Sequence, residues 1–307
     1  MKCLITGGAG FIASHLVDKL IEEGHEVTIV DNLSTGKKEN LNPKADFYNV
    51  DILDSKISNI FKEKKPDIVF HYAAQIDVRK SVENPVESAK INILGSLNIL
   101  ENCKNFGVKK IVFASTGGAI YGEAKTVPTP EDYLPQPISP YGIEKLIVEH
   151  YLDFYKKQYN LDYLILRFAN VYGPRQNSKG EAGVVAIFCD SILAGSQIII
   201  NGSGEQTRDF VFVEDIINAN ILGVKKNKNG TFNVGTGEET DINTIFLNLK
   251  KLFGSEIREI HGPEKSGEQE RSCLDFTKSK EILDWQPNYD LLQGLEKTKE
   301  WFRKKHE

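Results

Sequence analysis

The chain reads as a repeated alternation of short apolar runs and longer amphipathic stretches. Leu4 and Ile5 close a first apolar run, and from Phe11 a helical rhythm continues through Ile12, Leu16, Leu20 and Ile21. The same alternation predicts strands at 26–30, 46–50, 66–70, 110–114 and 161–168, with helices at 57–64, 86–106 and from 140 onward. Strands that alternate with helices at this spacing predict an α/β fold, a doubly wound parallel sheet with ligands at the carboxyl ends of its strands. Beyond residue 170 the rhythm loosens. Helices are expected at 184–194, 214–224, 242–253, 278–283 and 291–303, short strands at 197–200 and 210–213, and a strand at 231–234 that returns to the sheet. The expected division is 1–170 as a dinucleotide-binding domain and 171–307 as mainly a smaller mixed α/β substrate lobe.

Gly7, Gly8 and Gly10 lie between the first strand and the first helix. Gly8-x-Gly10-x-x-Ala13 fits the dinucleotide fingerprint in the form that takes alanine last, and Gly7-x-x-Gly10 gives the turn a second reading. Small residues let a pyrophosphate rest on helix N-terminal amides, where the helix dipole favours its charge. The second strand ends on Asp31, about twenty residues further on, where a carboxylate accepts hydrogen bonds from ribose hydroxyls and repels a 2′-phosphate. The cofactor expected is therefore NAD. Asn32, Ser34, Thr35 and Gly36 form a polar loop that could close over the ribose.

At the end of the 110–114 strand come Ser115 and Thr116, a hydroxyl pair where this fold puts its chemistry. Tyrosine precedes lysine by four residues twice, at Tyr121/Lys125 and Tyr141/Lys145. Gly122, Pro128 and Pro130 make the first segment non-helical, so its spacing aligns nothing. Ser139 as N-cap and Pro140 at the first helical position place the second pair on one helical face. A lysine charge near a phenol favours the phenolate, and bringing a tyrosine from about 10 toward neutrality takes roughly 4 kcal/mol. Lys145 together with a positive nicotinamide could supply it.

Length and composition admit one large domain or two smaller ones: 307 residues, 40% hydrophobic, net charge −5. Scattered Lys and Arg give no nucleic-acid footprint, and no apolar run approaches a membrane span. Cys3, Cys103, Cys189 and Cys273 lack metal-ligand or disulfide spacing and read as reduced thiols in a cytoplasmic protein; no metal is expected.

Taken together these residues resemble the extended short-chain dehydrogenase/reductase family, most closely its nucleotide-sugar members of the UDP-glucose 4-epimerase type. The carrying segments are Gly7-Gly-Ala-Gly-Phe-Ile-Ala13, Asp31-Asn-Leu-Ser-Thr-Gly36, Asn92, Tyr141-x-x-x-Lys145, Arg167-Phe-Ala-Asn-Val-Tyr-Gly-Pro174, Thr207-Arg-Asp-Phe-Val-Phe-Val213 and Asn233-Val-Gly235. The resemblance implies a Rossmann domain and a UDP-hexose epimerised at C4 through a transient 4-keto sugar. It implies Tyr141 as the base, Lys145 as its support, Thr116 on the same sugar oxygen and Ser115 near the nicotinamide or substrate. Phe11, Ile12, Asp51, Ile52, Ala73, Ala74, Gln75 and Asn92 would line the NAD site. Asn170, Val185, Asn201, Arg208 and Glu268 would hold the nucleotide diphosphate. A homodimer pairing through the helices at 86–106 and 141–158 is implied as well.

Two departures matter. Lys265 stands where many relatives have arginine, a point charge without the bidentate fork, and Arg271 is the nearby arginine that could compensate. Ser272 stands where a large aromatic often forms the wall near the sugar 2-position, so room for an N-acetyl group is expected and with it turnover of UDP-GlcNAc/UDP-GalNAc. The alternatives are a dehydratase, whose elimination across C5 and C6 needs an acid and a base where in this chain Gly117 and Gly118 stand, a decarboxylase, and a non-catalytic NAD or nucleotide-sugar binder.

Overall fold

The computed structural model describes residues 1–178, 183–264 and 269–306. Lys265 and Glu268 lie outside the described residues.

The first half builds most of a sheet with its flanking helices. In chain order it runs β1 (Lys2–Thr6), α1 (Phe11–Glu22), β2 (Glu26–Val30), β3 (Asp46–Tyr48), α2 (Ile57–Lys64), β4 (Ile68–His71), α3 (Val78–Glu83) and α4 (Pro85–Ala89). A π turn (Lys90–Leu94) leads into α5 (Gly95–Asn105), then β5 (Lys110–Thr116), α6 (Gly117–Ile120), α7 (Pro140–Tyr159) and β6 (Asp162–Phe168). The second half continues with β7 (Asn170–Tyr172), α8 (Val184–Ala194), β8 (Ile198–Asn201), β9 (Thr207–Arg208), β10 (Phe210–Phe212) and α9 (Val213–Lys225). It ends with β11 (Gly230–Val234), β12 (Thr240–Asp241), α10 (Ile242–Phe253), β13 (Glu259–Gly262), β14 (Arg271–Ser272), α11 (Thr277–Leu283) and α12 (Leu291–His306).

Seven strands form one parallel sheet in the order β11-β6-β5-β4-β1-β2-β3. The chain winds outward in one direction to β3 and in the other from β4, so the crevice between the ends of β1 and β4 is the switch point where this topology binds ligands. One face buries α1 and α9 around Leu16, Val17, Ile216 and Trp285. The other buries α2, α5 and α7 around Phe61, Leu100, Val148 and Leu152. A third apolar cluster, with Phe188, Phe246 and Phe302, belongs to the lobe of α8, α10 and α12, where sheets of two and three strands gather. Among the described residues no helix is long and apolar enough to cross a membrane.

The single helix expected over 86–106 is instead three pieces. Asn84 caps α4 by accepting from Glu87 N, Pro85 occupies its first turn, and the π turn then widens the helix before α5. Its apolar periodicity hides the interruption, because one inserted residue barely moves the stripe.

Trp285 is fully buried and its Nε1 donates to the Asp215 carbonyl at 2.9 Å. Trp285→Ala is expected to cost about 3–5 kcal/mol through the cavity and the orphaned carbonyl, read from urea denaturation. A loss below about 1 kcal/mol would show that this contact does not anchor α9 to the segment after α11.

Candidate active site

The turn after β1 is built for close approach. Gly7 adopts φ +72°, and a Cβ there would lie 2.7 Å from the Ala73 nitrogen, so only glycine lets the β1 and β4 ends meet at the switch point. Gly10 begins α1 with no side-chain cap, which leaves the first amides to an anionic ligand. Asp31 is buried; its Oδ2 accepts from Ala9 N at 3.0 Å and its Oδ1 from Leu33 N at 2.8 Å. Each oxygen keeps a lone pair for a ribose hydroxyl. Gly36 folds back to where a Cβ would sit 2.9 Å from both oxygens. Asn32 donates to Asp51 Oδ2 at 2.6 Å, which joins the loops after β2 and β3, while Ser34 and Thr35 stay exposed. Phe11 and Ile12 open α1 against the lobe, and Ile52 packs in the sheet core.

Beside this turn runs a directional chain of buried hydrogen bonds. Thr6 Oγ1 accepts from Tyr72 N and Ala73 N, both at 3.2 Å, so its proton points to His71 Nδ1 at 2.7 Å. This assigns the proton of His71 to Nε2, which donates to Ser96 Oγ at 2.8 Å; Ser96 in turn donates to the Asn92 carbonyl at 2.5 Å. From the π turn Asn92 holds the segment after Ala74, accepting from Gln75 N at 2.8 Å and donating to Gln75 O at 2.9 Å. Burial pushes His71 down to about 3.

Ser139 caps α7 by accepting from Gly142 N at 3.2 Å, with Pro140 in the first turn. Gly142 packs onto α6, where a Cβ would meet the Ala119 carbonyl at 2.4 Å. The start of α7 therefore lies against the carboxyl end of β5. Lys145 is buried, its Nζ donates to the Ala114 carbonyl at 2.8 Å, and it stands 4.7 Å from the Phe113 ring centroid and 5.8 Å from that of Tyr141. Burial pulls its ammonium down to about 8, against the upward pull of Glu149 and Glu144. Tyr141 is half-buried, and its phenol is raised by burial and, secondarily, by the Glu144 carboxylate. Lys145 alone thus does not produce a phenolate. Its ammonium is turned to a backbone carbonyl, and the Glu144 carboxylate opposes the negative charge.

Ser115 and Thr116 diverge, because neighbouring residues of a strand face opposite sides. Ser115 Oγ donates to Glu149 Oε1 at 2.6 Å, inside a buried pair in which Arg167 holds the same carboxylate through Nε at 3.0 Å and Nη2 at 2.6 Å. The Ser115 hydroxyl is thereby committed to Glu149. Thr116 Oγ1 and Asn170 Oδ1 instead look toward Gly118, 4.0 Å and 3.6 Å from where a Cβ would stand. At Gly117 a Cβ would lie 2.4 Å from Leu274 Cδ1. Tyr121 is buried in the Arg167 network and donates to Asn233 Oδ1 at 2.8 Å, so that tyrosine is structural.

The lobe residues assemble around buried Asp209. It accepts from Thr236 N at 2.8 Å, Thr236 Oγ1 at 2.6 Å and Leu274 N at 3.2 Å, and burial raises its carboxyl. Arg208 and Ser272 are register partners on β9 and β14, and both are half-buried. Arg271 is exposed and paired with Glu239, so its guanidinium is committed there. Asn201 ends β8, half-buried. Val185 has its side chain in the lobe core, which leaves its backbone alone for a ligand.

His71, Asp209 and Glu144 escaped the sequence reading. Each is polar, buried and defined by distant partners; the only local signal was a carboxylate three residues after Tyr141.

A model of the family described as "NAD dependent epimerase/dehydratase family" matches residues 3–235. The chain belongs to that family. The resemblance read from its motifs is borne out. It is 47% identical over 300 residues to the putative UDP-glucose 4-epimerase of Methanocaldococcus jannaschii, covering 98% of both chains. The UDP-glucose 4-epimerase of Thermotoga maritima, solved with UDP-glucose, superposes with a TM-score of 0.99 at 51% identity and full coverage of both chains. The UDP-N-acetylglucosamine 4-epimerase of Methanobrevibacter ruminantium, in complex with UDP-N-acetylmuramic acid, gives 0.94 at 38% identity, covering 99% of this chain and 98% of that one.

Because His71 titrates near 3 when folded and near 6.5 when unfolded, the unfolded chain binds the proton first as pH falls. Stability then rises with pH between those values and is flat above them with respect to this group. Between about pH 5.5 and 4 the wild type should lose about 1.2 kcal/mol per pH unit more than His71→Gln, measured by denaturant unfolding. Equal slopes would mean that His71 is charged in the fold.

Proposed function

We infer that the protein is an NAD-dependent UDP-hexose 4-epimerase. The observation that carries this reading is the combination of Thr116, Tyr141 and Lys145 at the carboxyl end of β5 with glycines at 117 and 118. Transient oxidation needs a base and a hydroxyl partner. Elimination needs further acids, and the crowding of Gly117 by Leu274 leaves no room for one there. Full-length similarity to 4-epimerases of UDP-glucose and UDP-GlcNAc supports the same reaction.

The residues fit NAD: an uncapped helix start, a side-chain-free turn and a buried ribose carboxylate. Bound there, NAD supplies an acceptor, and afterwards a donor, for the hydrogen on sugar C4. We assign its adenosine end to Gly7, Gly10, Asp31 and the 32–36 loop, with Asp51 and Ile52 beside it. Its nicotinamide end falls to Ala73, Ala74, Gln75, Asn92 and Lys145. Tyr141 Oη takes the proton of the C4 hydroxyl and returns it. Thr116 Oγ1 holds the same oxygen, so the proton moves along a fixed line. The Lys145 ammonium, together with the cofactor's positive ring, offsets the burial and the Glu144 charge that oppose the phenolate. Residues 171–307 mainly hold the UDP group, through Asn170 at the boundary, the backbone at Val185, Asn201 and Arg208. Ser272 leaves the sugar 2-position open, which favours UDP-GlcNAc/UDP-GalNAc alongside UDP-glucose/UDP-galactose.

A homodimer is supported by apolar side chains left exposed on neighbouring helices: Val86 (79% exposed) on α4, Leu94 (55%) in the π turn, and Ile143 and Phe154 (46%) on α7. Four free, buried cysteines support a cytoplasmic setting.

The test is purified protein with UDP-GlcNAc and separately with UDP-glucose, no NAD added, the sugars followed by NMR. Appearance of 4-epimers from both is expected, and Tyr141→Phe should lower kcat by about 10²–10⁴. A 4-keto, 6-deoxy product would move the protein to the dehydratases. Turnover of UDP-glucose alone would remove the role given to Ser272.

A further inference from the structure

The strongest feature left outside the mechanism is Glu144, which stands between Tyr141 and Lys145 in sequence yet faces neither through a hydrogen bond. Its carboxylate is buried, 3% exposed. Oε2 accepts from Ser88 Oγ at 2.8 Å and from Asn92 Nδ2 at 2.6 Å; Oε1 is buried with no hydrogen-bond partner. Ser88 belongs to α4 and Asn92 to the π turn, whereas Glu144 belongs to α7. One carboxylate therefore fastens two separate stretches to the helix bearing the tyrosine and lysine. Asn92 passes the connection on, since its amide oxygen and nitrogen grip both backbone groups of Gln75. A second leg runs from the Asn92 carbonyl through Ser96, His71 and Thr6 to the end of β1.

We propose that Glu144 is a positioning residue: through Ser88 and Asn92 it fixes the 73–77 segment, where the nicotinamide end of the cofactor is assigned, relative to Tyr141 and Lys145. The inference rests on the epimerase reading for its kinetic consequences and on the fold alone for its effect on cofactor binding. A carboxylate suits the task because it takes two charge-assisted bonds on one oxygen and spans two elements with one side chain. The arrangement carries an electrostatic cost. A buried negative charge with one oxygen unpaired raises the phenol of Tyr141 and supports the ammonium of Lys145. The groups facing that pair are Glu144 and Glu149 on α7, the latter neutralised by Arg167 from β6, and neutral His71 from β4. Glu144 thus has the Lys145 ammonium as its cation and no arginine of its own.

Two substitutions separate anchoring from charge. Glu144→Gln keeps an acceptor oxygen for Ser88 and Asn92 and removes the charge. Glu144→Ala removes both. Titration of the purified proteins with NAD should show Glu144→Ala weakened on the order of tenfold or more and Glu144→Gln within about threefold of wild type. In the kcat profile, Glu144→Gln should move both limbs to lower pH, since the phenol then ionises more readily and the ammonium is less well held. A merely structural glutamate would lower the melting temperature without moving either limb. NAD affinity unchanged in Glu144→Ala, or a pH profile unmoved in Glu144→Gln, would overturn the proposal. If the wild type epimerises nothing while the NAD affinities change as stated, the epimerase reading fails and the anchoring of the cofactor segment stands.

Discussion

A buried ammonium organises the interior of this protein. Lys145 has to stand within reach of its tyrosine on α7, under the carboxyl end of β5, where water does not reach. An isolated charge there would lose its proton or disrupt the fold. The Ala114 carbonyl and the Phe113 ring take part of the charge, and Glu149 and Glu144 take more. Those carboxylates need partners of their own. Glu149 gains Arg167 and Ser115, and Arg167 gains Tyr121, which reaches Asn233 on β11. Glu144 gains Ser88 and Asn92. One catalytic requirement therefore fixes the polar contacts between β5, β6, β11, α4, α7 and the π turn. These contacts specify geometry more than they add stability, because burying ions offsets much of their attraction.

In the proposed epimerisation the same network acts on the base. The base must accept a proton and give it back, so its affinity for protons cannot lie far from the working pH in the loaded site. Burial and Glu144 hold the phenol high, and a positive charge brought beside it, such as that of an oxidised nicotinamide, would pull the other way. The tyrosine is thus poised by opposing terms rather than by one strong neighbour. The lobe of α8, α10 and α12 carries its own core beside the sheet's two cores.

Much of the architecture was legible because burial imposes periodicity. The strand over 26–30 and the helices over 57–64, 184–194 and 242–253 appear with the bounds their apolar spacing predicts. Strands of two residues, such as β9, β12 and β14, are too short to show a period, and they exist through pairing between distant segments. The choice of Tyr141 over Tyr121 was legible from helix capping. The divergence of Ser115 from Thr116 is ordinary strand alternation, yet the partner Ser115 turns to, Glu149, is thirty-four positions away and has no local signal. Glu144, His71 and Asp209 depend on contacts between distant segments, and no local pattern marks them.

The central claim is that the hydrogen removed from C4 returns to the same carbon without leaving the site. The most direct test is UDP-glucose carrying deuterium at C4, incubated with the enzyme in ordinary water and analysed by NMR at equilibrium. Retention of the label at C4 of both UDP-glucose and UDP-galactose is the expected result. Loss of the label to solvent, or its recovery in free reduced cofactor, would contradict the account.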